Sequence, residues 1–154
     1  MTRWAVRRRF TSTVLDRIEA SIAAAEATHC GEIELIVETD LDAAAILAGK
    51  RPRQRALELF SAAHVWDTEA NNGVLIYVLY ADRAVEIVAD RGFNTLVTPA
   101  EWASVCARMQ TEFRAGRWAD GAIAGVAGVA ELVARHFPET GQVGNELPDR
   151  PVLL

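Results

Sequence analysis

Carboxylates and amides gather around the middle of this chain. Asp67 and Glu69 precede an Asn71-Asn72-Gly73 turn signal, Asp82 falls in a second turn, and Asp90 follows the alternating segment after it. Hard cations such as Ca2+ and Mg2+ take several oxygen ligands of these kinds, and open α/β sheets collect such groups in the loops at their strand ends. Asp67, Glu69, Asn71, Asp82 and Asp90 are therefore the candidate metal ligands. The competing reading is turn chemistry alone, because Asp and Asn satisfy nearby backbone groups in turns. On spacing alone, turn chemistry is the stronger reading. Glu32 and Glu38 stand at the two ends of another alternating segment, EIELIVE.

Other chemistries have less to build on. The sequence holds no GxGxxG, GxxxxGK[ST] or GxSxG pattern, and Lys50 is its only lysine. His29, His64 and His136 each fall at a helix end, where an imidazolium suits the dipole. Cys30 and Cys106 lack CxxC or Cys/His spacing and read as buried free thiols of a reducing compartment. The net charge is −5, yet Arg3, Arg7, Arg8 and Arg9 place +4 in the first ten residues, so the rest of the chain carries −9. A body that acidic repels phosphate backbones, which argues against a nucleic-acid partner.

The elements that must position these groups follow from hydrophobic spacing. At 154 residues, half of them apolar, the chain suits one soluble domain burying roughly 70% of its unfolded surface. No apolar run reaches the ~18–20 residues of a membrane span. No secretory leader is expected either, since Arg7, Arg8 and Arg9 lead into a polar stretch. Helical stripes predict helices at 12–28, 52–64, 99–115 and 118–137. The third has proline at its first position and a Thr98…Glu101 capping box, and Gly116 ends it. Gly121, Gly125 and Gly128 in the fourth would let another backbone approach closely. Strands are predicted at 32–38, 74–80 and 84–90. The first pair is parallel through a right-handed crossover, and the last two form a β-hairpin with Gly73 free to take positive φ before it. The expected architecture is a three-layer α/β/α domain with a mixed, mostly parallel sheet, spanning 12–137. A basic arm at 1–11 precedes it, and 138–154, rich in Pro and Gly, is expected to be a flexible C-terminal tail.

Asn72-Gly73-Val74-Leu75, Asp82-Arg83, Gly92, Thr98 and Phe113-Arg114-Ala115-Gly116-Arg117-Trp118, with the strand start Gly31-Glu32-Ile33, form an ordered set of motifs. Over residues 12–137 this set resembles the TPM domain family. The resemblance implies a compact α/β/α domain, Ca2+ or Mg2+ binding and a weak phosphatase activity. The chain departs from the family pattern in three places. Asn71 replaces an acidic residue, Asp90-Arg91-Gly92 replaces Gly-Tyr-Gly, and Val88 stands where the family often has Glu. Fewer carboxylates weaken a hard-cation site, while Arg91 offers a bidentate partner for phosphate or carboxylate.

Two functions follow as expectations. The favoured one is a non-catalytic interaction module working with a membrane-associated partner, cytoplasmic and peripheral to the membrane. The alternative is a Ca2+- or Mg2+-dependent phosphoester hydrolase, in which the metal would position water and stabilise phosphoryl charge. The arm also has two readings. Either Trp4 and Phe10 pack on the domain while Arg3, Arg7, Arg8 and Arg9 pair with its acidic surface, or the arginines tether it to anionic lipid.

Overall fold

Alternation in EIELIVE and the unbroken apolar run that follows Gly73 build the centre of a four-stranded sheet. In a computed structural model that describes residues 3–140 and 145–154, β1 (Glu32–Glu38) and β2 (Gly73–Leu79) are buried along their whole length. They pair in parallel from Glu32↔Gly73 to Glu38↔Leu79. β3 (Ala84–Ala89) returns antiparallel to β2, with Val74 opposite Ala89. The sheet is mixed and mostly parallel, as the sequence predicts, but it has a fourth member. β4 (Val152–Leu153) adds to the free edge of β1 in parallel, giving the order β3-β2-β1-β4.

Helices cover both faces. On one lie α1 (Arg3–Arg9), α2 (Ser12–Glu26), α5 (Pro99–Arg114) and α6 (Trp118–His136). Ile18 and Ile22 of α2, Met109 and Phe113 of α5, and Val126 and Val133 of α6 pack there against Ile33, Leu35, Ile76 and Val78. On the other face Ala56 and Leu59 of α4 (Pro52–Ala62) cover Ile36, Leu75, Tyr77, Leu79 and Val88. A five-residue helix α3 (Ala43–Leu47) buries nothing. Each aliphatic side chain sealed in this way contributes about 1.5–3 kcal/mol, so the central strand is where substitution costs most. The capping box at α5 forms as predicted, Thr98 and Glu101 each bonding the other's backbone. No helix among the described residues is long and apolar enough to cross a membrane.

Four local expectations are revised. The left-handed residue before β2 is Asn71 (φ 52), not Gly73. Glycine is needed at 73 for a different reason, since a Cβ there would overlap the Val65 carbonyl oxygen. The glycines of α6 admit the side chains of α5, because a Cβ at Gly125 would overlap Met109 Sδ and one at Gly121 would press on Phe113. The basic arm is a helix held by Val6 and Phe10, both buried. Trp4, by contrast, is 65% exposed, and among the described residues none of Arg3, Arg7, Arg8 and Arg9 forms an ion pair.

The tail is the fourth revision. Residues 141–144 lie outside the described residues, as do Met1 and Thr2 of the arm. From 145 onward the segment expected to be loose is docked on the sheet. Leu147 and Pro151 are buried, Leu154 donates to the Val37 carbonyl and accepts from Thr39, and Arg150 reaches Asp16 and Glu19 of α2. The open edge of β1 explains this, because its unpaired backbone groups accept an added strand.

Candidate metal centre

β1 begins in a cluster of carboxylates. Glu26 closes α2 and returns its Oε1 to the backbone N–H of Ile33 at 2.7 Å. Glu32, the first residue of β1, is 3% exposed and accepts from the Glu146 N–H at 2.7 Å. Asp149 arrives with the docked tail and accepts from the Asn145 side-chain amide at 3.0 Å. One oxygen from each of Glu26, Glu32 and Asp149 lies within 4.8 Å of the others. That spread suits oxygens arranged around a hard cation with bonds of about 2.3–2.6 Å. They face a cavity of about 170 Å3 that His29, Cys30 and Asn145 also line.

The electrostatics are one-sided. No lysine or arginine among the described residues pairs with Glu26, Glu32 or Asp149. Burial pushes the Glu26 carboxyl up to about 9 and raises Glu32 as well. Glu34, next inward on the same face of β1, is pushed up to about 8 by burial and then by the charges of Asp149 and Glu32. Burial lowers His29, which favours its neutral form. Oε2 of both Glu32 and Glu34 is buried with no hydrogen-bond partner. An orphaned buried carboxylate oxygen costs free energy unless a proton or cation meets it. The donor set is oxygen, hence suited to Ca2+ or Mg2+ rather than to a soft metal. The far end of the same strand is the contrast, since there Glu38 is matched by Arg55.

The five residues nominated from the sequence are placed differently. Asp67, Glu69, Asn71 and Asp90 come to the end of the sheet where β1 and β2 begin. Asn71 and Asp90 are drawn together there, Gly92 donating to the Asn71 carbonyl and Asp90 to that of Gly73. Asp67 and Glu69 are exposed, although the Glu69 N–H donates to Glu146, whose own N–H is bound to Glu32. Asp90 uses Oδ1 to bond the Arg91 N–H and keeps Oδ2 buried without a partner. Asp82 sits in the hairpin at the other end of β2, seven residues or about 23 Å away, and shares no site with the other four. None of the five belongs to the Glu26–Glu32–Asp149 group. Glu32 was visible as a polar strand end. Glu26 and Asp149 were missed, the second because its segment carries no local packing signal.

With fold and cluster in place, comparison with known proteins gives the class. The TPM domain profile matches residues 8–132, and the chain belongs to the TPM domain family. It is similar to the NMR structure of the BA42 protein from the psychrophilic bacterium Bizionia argentinensis, at 26% identity and TM-score 0.82, covering 94% of each chain. The fold is shared with the N-terminal domain of a P. gingivalis protein, at 18% identity and TM-score 0.67, over 84% of this chain and 82% of that one. It also matches the N-terminal domain of the cg2496 protein of Corynebacterium glutamicum, at 14% identity and TM-score 0.59, over 89% and 78%. No curated protein matches the chain.

Proposed function

We propose that this TPM domain is a non-catalytic, divalent-cation-binding interaction module that works with a membrane-associated partner. One observation carries the cation reading: carboxylate oxygens of Glu26, Glu32 and Asp149 converge within 4.8 Å of one another, and Glu32 keeps a buried Oε2 that has no partner. Two of these ligands flank the α2–β1 connection, at the end of α2 and the start of β1, and the third comes from the docked tail. A bound cation therefore ties the tail to the body, and this supports a binding role. Ca2+ fits better than Mg2+, because it tolerates an irregular shell whereas Mg2+ demands near-octahedral geometry.

The electrostatics oppose the phosphoester hydrolase. A divalent ion among three ionised carboxylates leaves the site negative, with Glu34 close behind, and no arginine or lysine lines the cavity. A phosphoryl group needs cations aimed at its oxygens.

Thermal melting with Ca2+, Mg2+ or EDTA tests the proposal. At ten times its dissociation constant, Ca2+ stabilises by about 1.4 kcal/mol, a rise of several degrees in Tm. Glu32→Gln and Asp149→Asn should each abolish that rise. A Tm indifferent to both cations overturns the proposal. Hydrolysis of p-nitrophenyl phosphate that requires cation and is lost in Glu32→Gln would install the hydrolase instead.

A further inference from the structure

We propose that α1 docks the domain onto an anionic lipid bilayer, with Trp4 entering the headgroup layer and Arg7, Arg8 and Arg9 meeting lipid phosphates. The inference stands apart from the cation site, which lies at the other end of the sheet.

The helix is short but fixed. Val6 and Phe10, one turn apart, are buried, and the Phe10 ring packs edge-on against Trp118. This clamp leaves the rest of the helix outward, where Arg3, Trp4, Arg7, Arg8 and Arg9 are all exposed. The Arg8 guanidinium lies 4.6 Å from the centre of the Trp4 ring. Ion pairing is what arginines on an acidic protein would be expected to find, and among the described residues these four have none. A groove of about 240 Å3 between α1 and Tyr80, walled by Trp4, Arg8 and Arg9, gives a headgroup room beside two guanidinium groups.

Two further features select lipid. Tryptophan favours the membrane–water boundary, where an amphipathic ring sits at headgroup level, and exposing 65% of Trp4 to water leaves that preference unmet. The charge layout is also polar in the geometric sense. Arg3, Val6 and Arg7 flank Thr39 and Leu154, past the end of β1, whereas Glu26, Glu32 and Asp149 lie where β1 begins. Seven residues of strand separate them by about 23 Å, well beyond a Debye length of ~8 Å at physiological salt. At the same end of the sheet the turns after β1 and β2 add Asp40, Asp42 and Asp82 against Arg83, fewer charges than the four arginines of α1 supply. The basic end can therefore approach a negative surface while the acidic cluster points away.

Co-sedimentation with vesicles tests this, using phosphatidylcholine alone, phosphatidylcholine with about 30% phosphatidylglycerol, and duplex DNA as a competing polyanion. Binding is expected only to the anionic vesicles, falling steeply between about 0.1 M and about 0.5 M salt. Arg7→Glu with Arg8→Glu should weaken it at least ~10-fold. Trp4→Ala should weaken it and remove the vesicle-induced blue shift in tryptophan emission. All three side chains are exposed, so melting of the variants should match the parent. Equal binding to neutral vesicles, parental binding by the double variant, or tighter binding to DNA than to anionic vesicles would each overturn the proposal.

Discussion

Arg55 grips Glu38 with two nitrogens, Nη2 to Oε1 at 2.8 Å and Nε to Oε2 at 3.0 Å, while the Tyr77 hydroxyl donates to the same carboxylate at 2.7 Å. The last residue of β1 is thus a neutralised, hydrogen-bonded glutamate, and the first is a glutamate without a cation. Removing the guanidinium by Arg55→Ala leaves Glu38 charged and 9% exposed. We expect a loss of about 3 kcal/mol in urea unfolding. Adding Glu38→Gln should recover part of it.

Stability should fall as pH rises when no divalent cation is present. Glu26 and Glu34 hold their protons to about 9 and about 8 in the folded state, against an ordinary 4.5 when unfolded. A raised pKa means that the folded form binds the proton more tightly, so its contribution is complete below about 4.5 and is lost as pH climbs through 8 to 9. His29, held below its ordinary 6.5, works in the opposite direction and only at the acid end. Melting in EDTA from pH 5 to 9 should show a declining Tm, flattened by Glu34→Gln. Saturating Ca2+ should shrink the slope, because the cation takes over the role of the protons.

The docked tail has a measurable anchor. Leu147 is 8% exposed and joins the cluster formed by Ile36, Tyr77 and Leu79. Leu147→Ala should cost about 2–3 kcal/mol, and it should weaken Ca2+ binding as well, since Asp149 is held in place by the same segment. Denaturant melts and a Ca2+ titration of the one variant report both effects.

Ile76 at the middle of β2 is fully buried, facing α5 and α6. Ile76→Asp would bury a charge without a partner, at a cost of several kcal/mol, enough to unfold the domain. Circular dichroism should show no cooperative transition.

Much of this fold was legible because its strands and helices advertise themselves locally. Val74 to Leu79 is apolar without interruption, Thr98 and Glu101 cap α5 at their prescribed spacing, and Gly116 supplies the positive φ (79°) that ends it. The site was not legible in the same way. Glu146 meets Glu32 across 114 positions of sequence and Arg150 meets Asp16 across 134, and a Pro- and Gly-rich tail carries no periodicity to announce such contacts. The acidic turns that attracted attention, at Asp67, Glu69 and Asp82, are conspicuous because turns need such residues. The converging carboxylates sit instead on a helix end, a strand start and an edge segment.

Because β4 joins the edge of β1 where α1 also settles, the two ends of the described chain are neighbours, with Arg3 and Arg7 lining the same small cleft as Leu153 and Leu154. The order in which the elements are threaded is then separable from the structure they build. A short linker joining the ends, with new termini opened at the exposed Gly49 between α3 and α4, should give a circularly permuted protein of the same shape. In such a permutant the tail becomes an internal crossing.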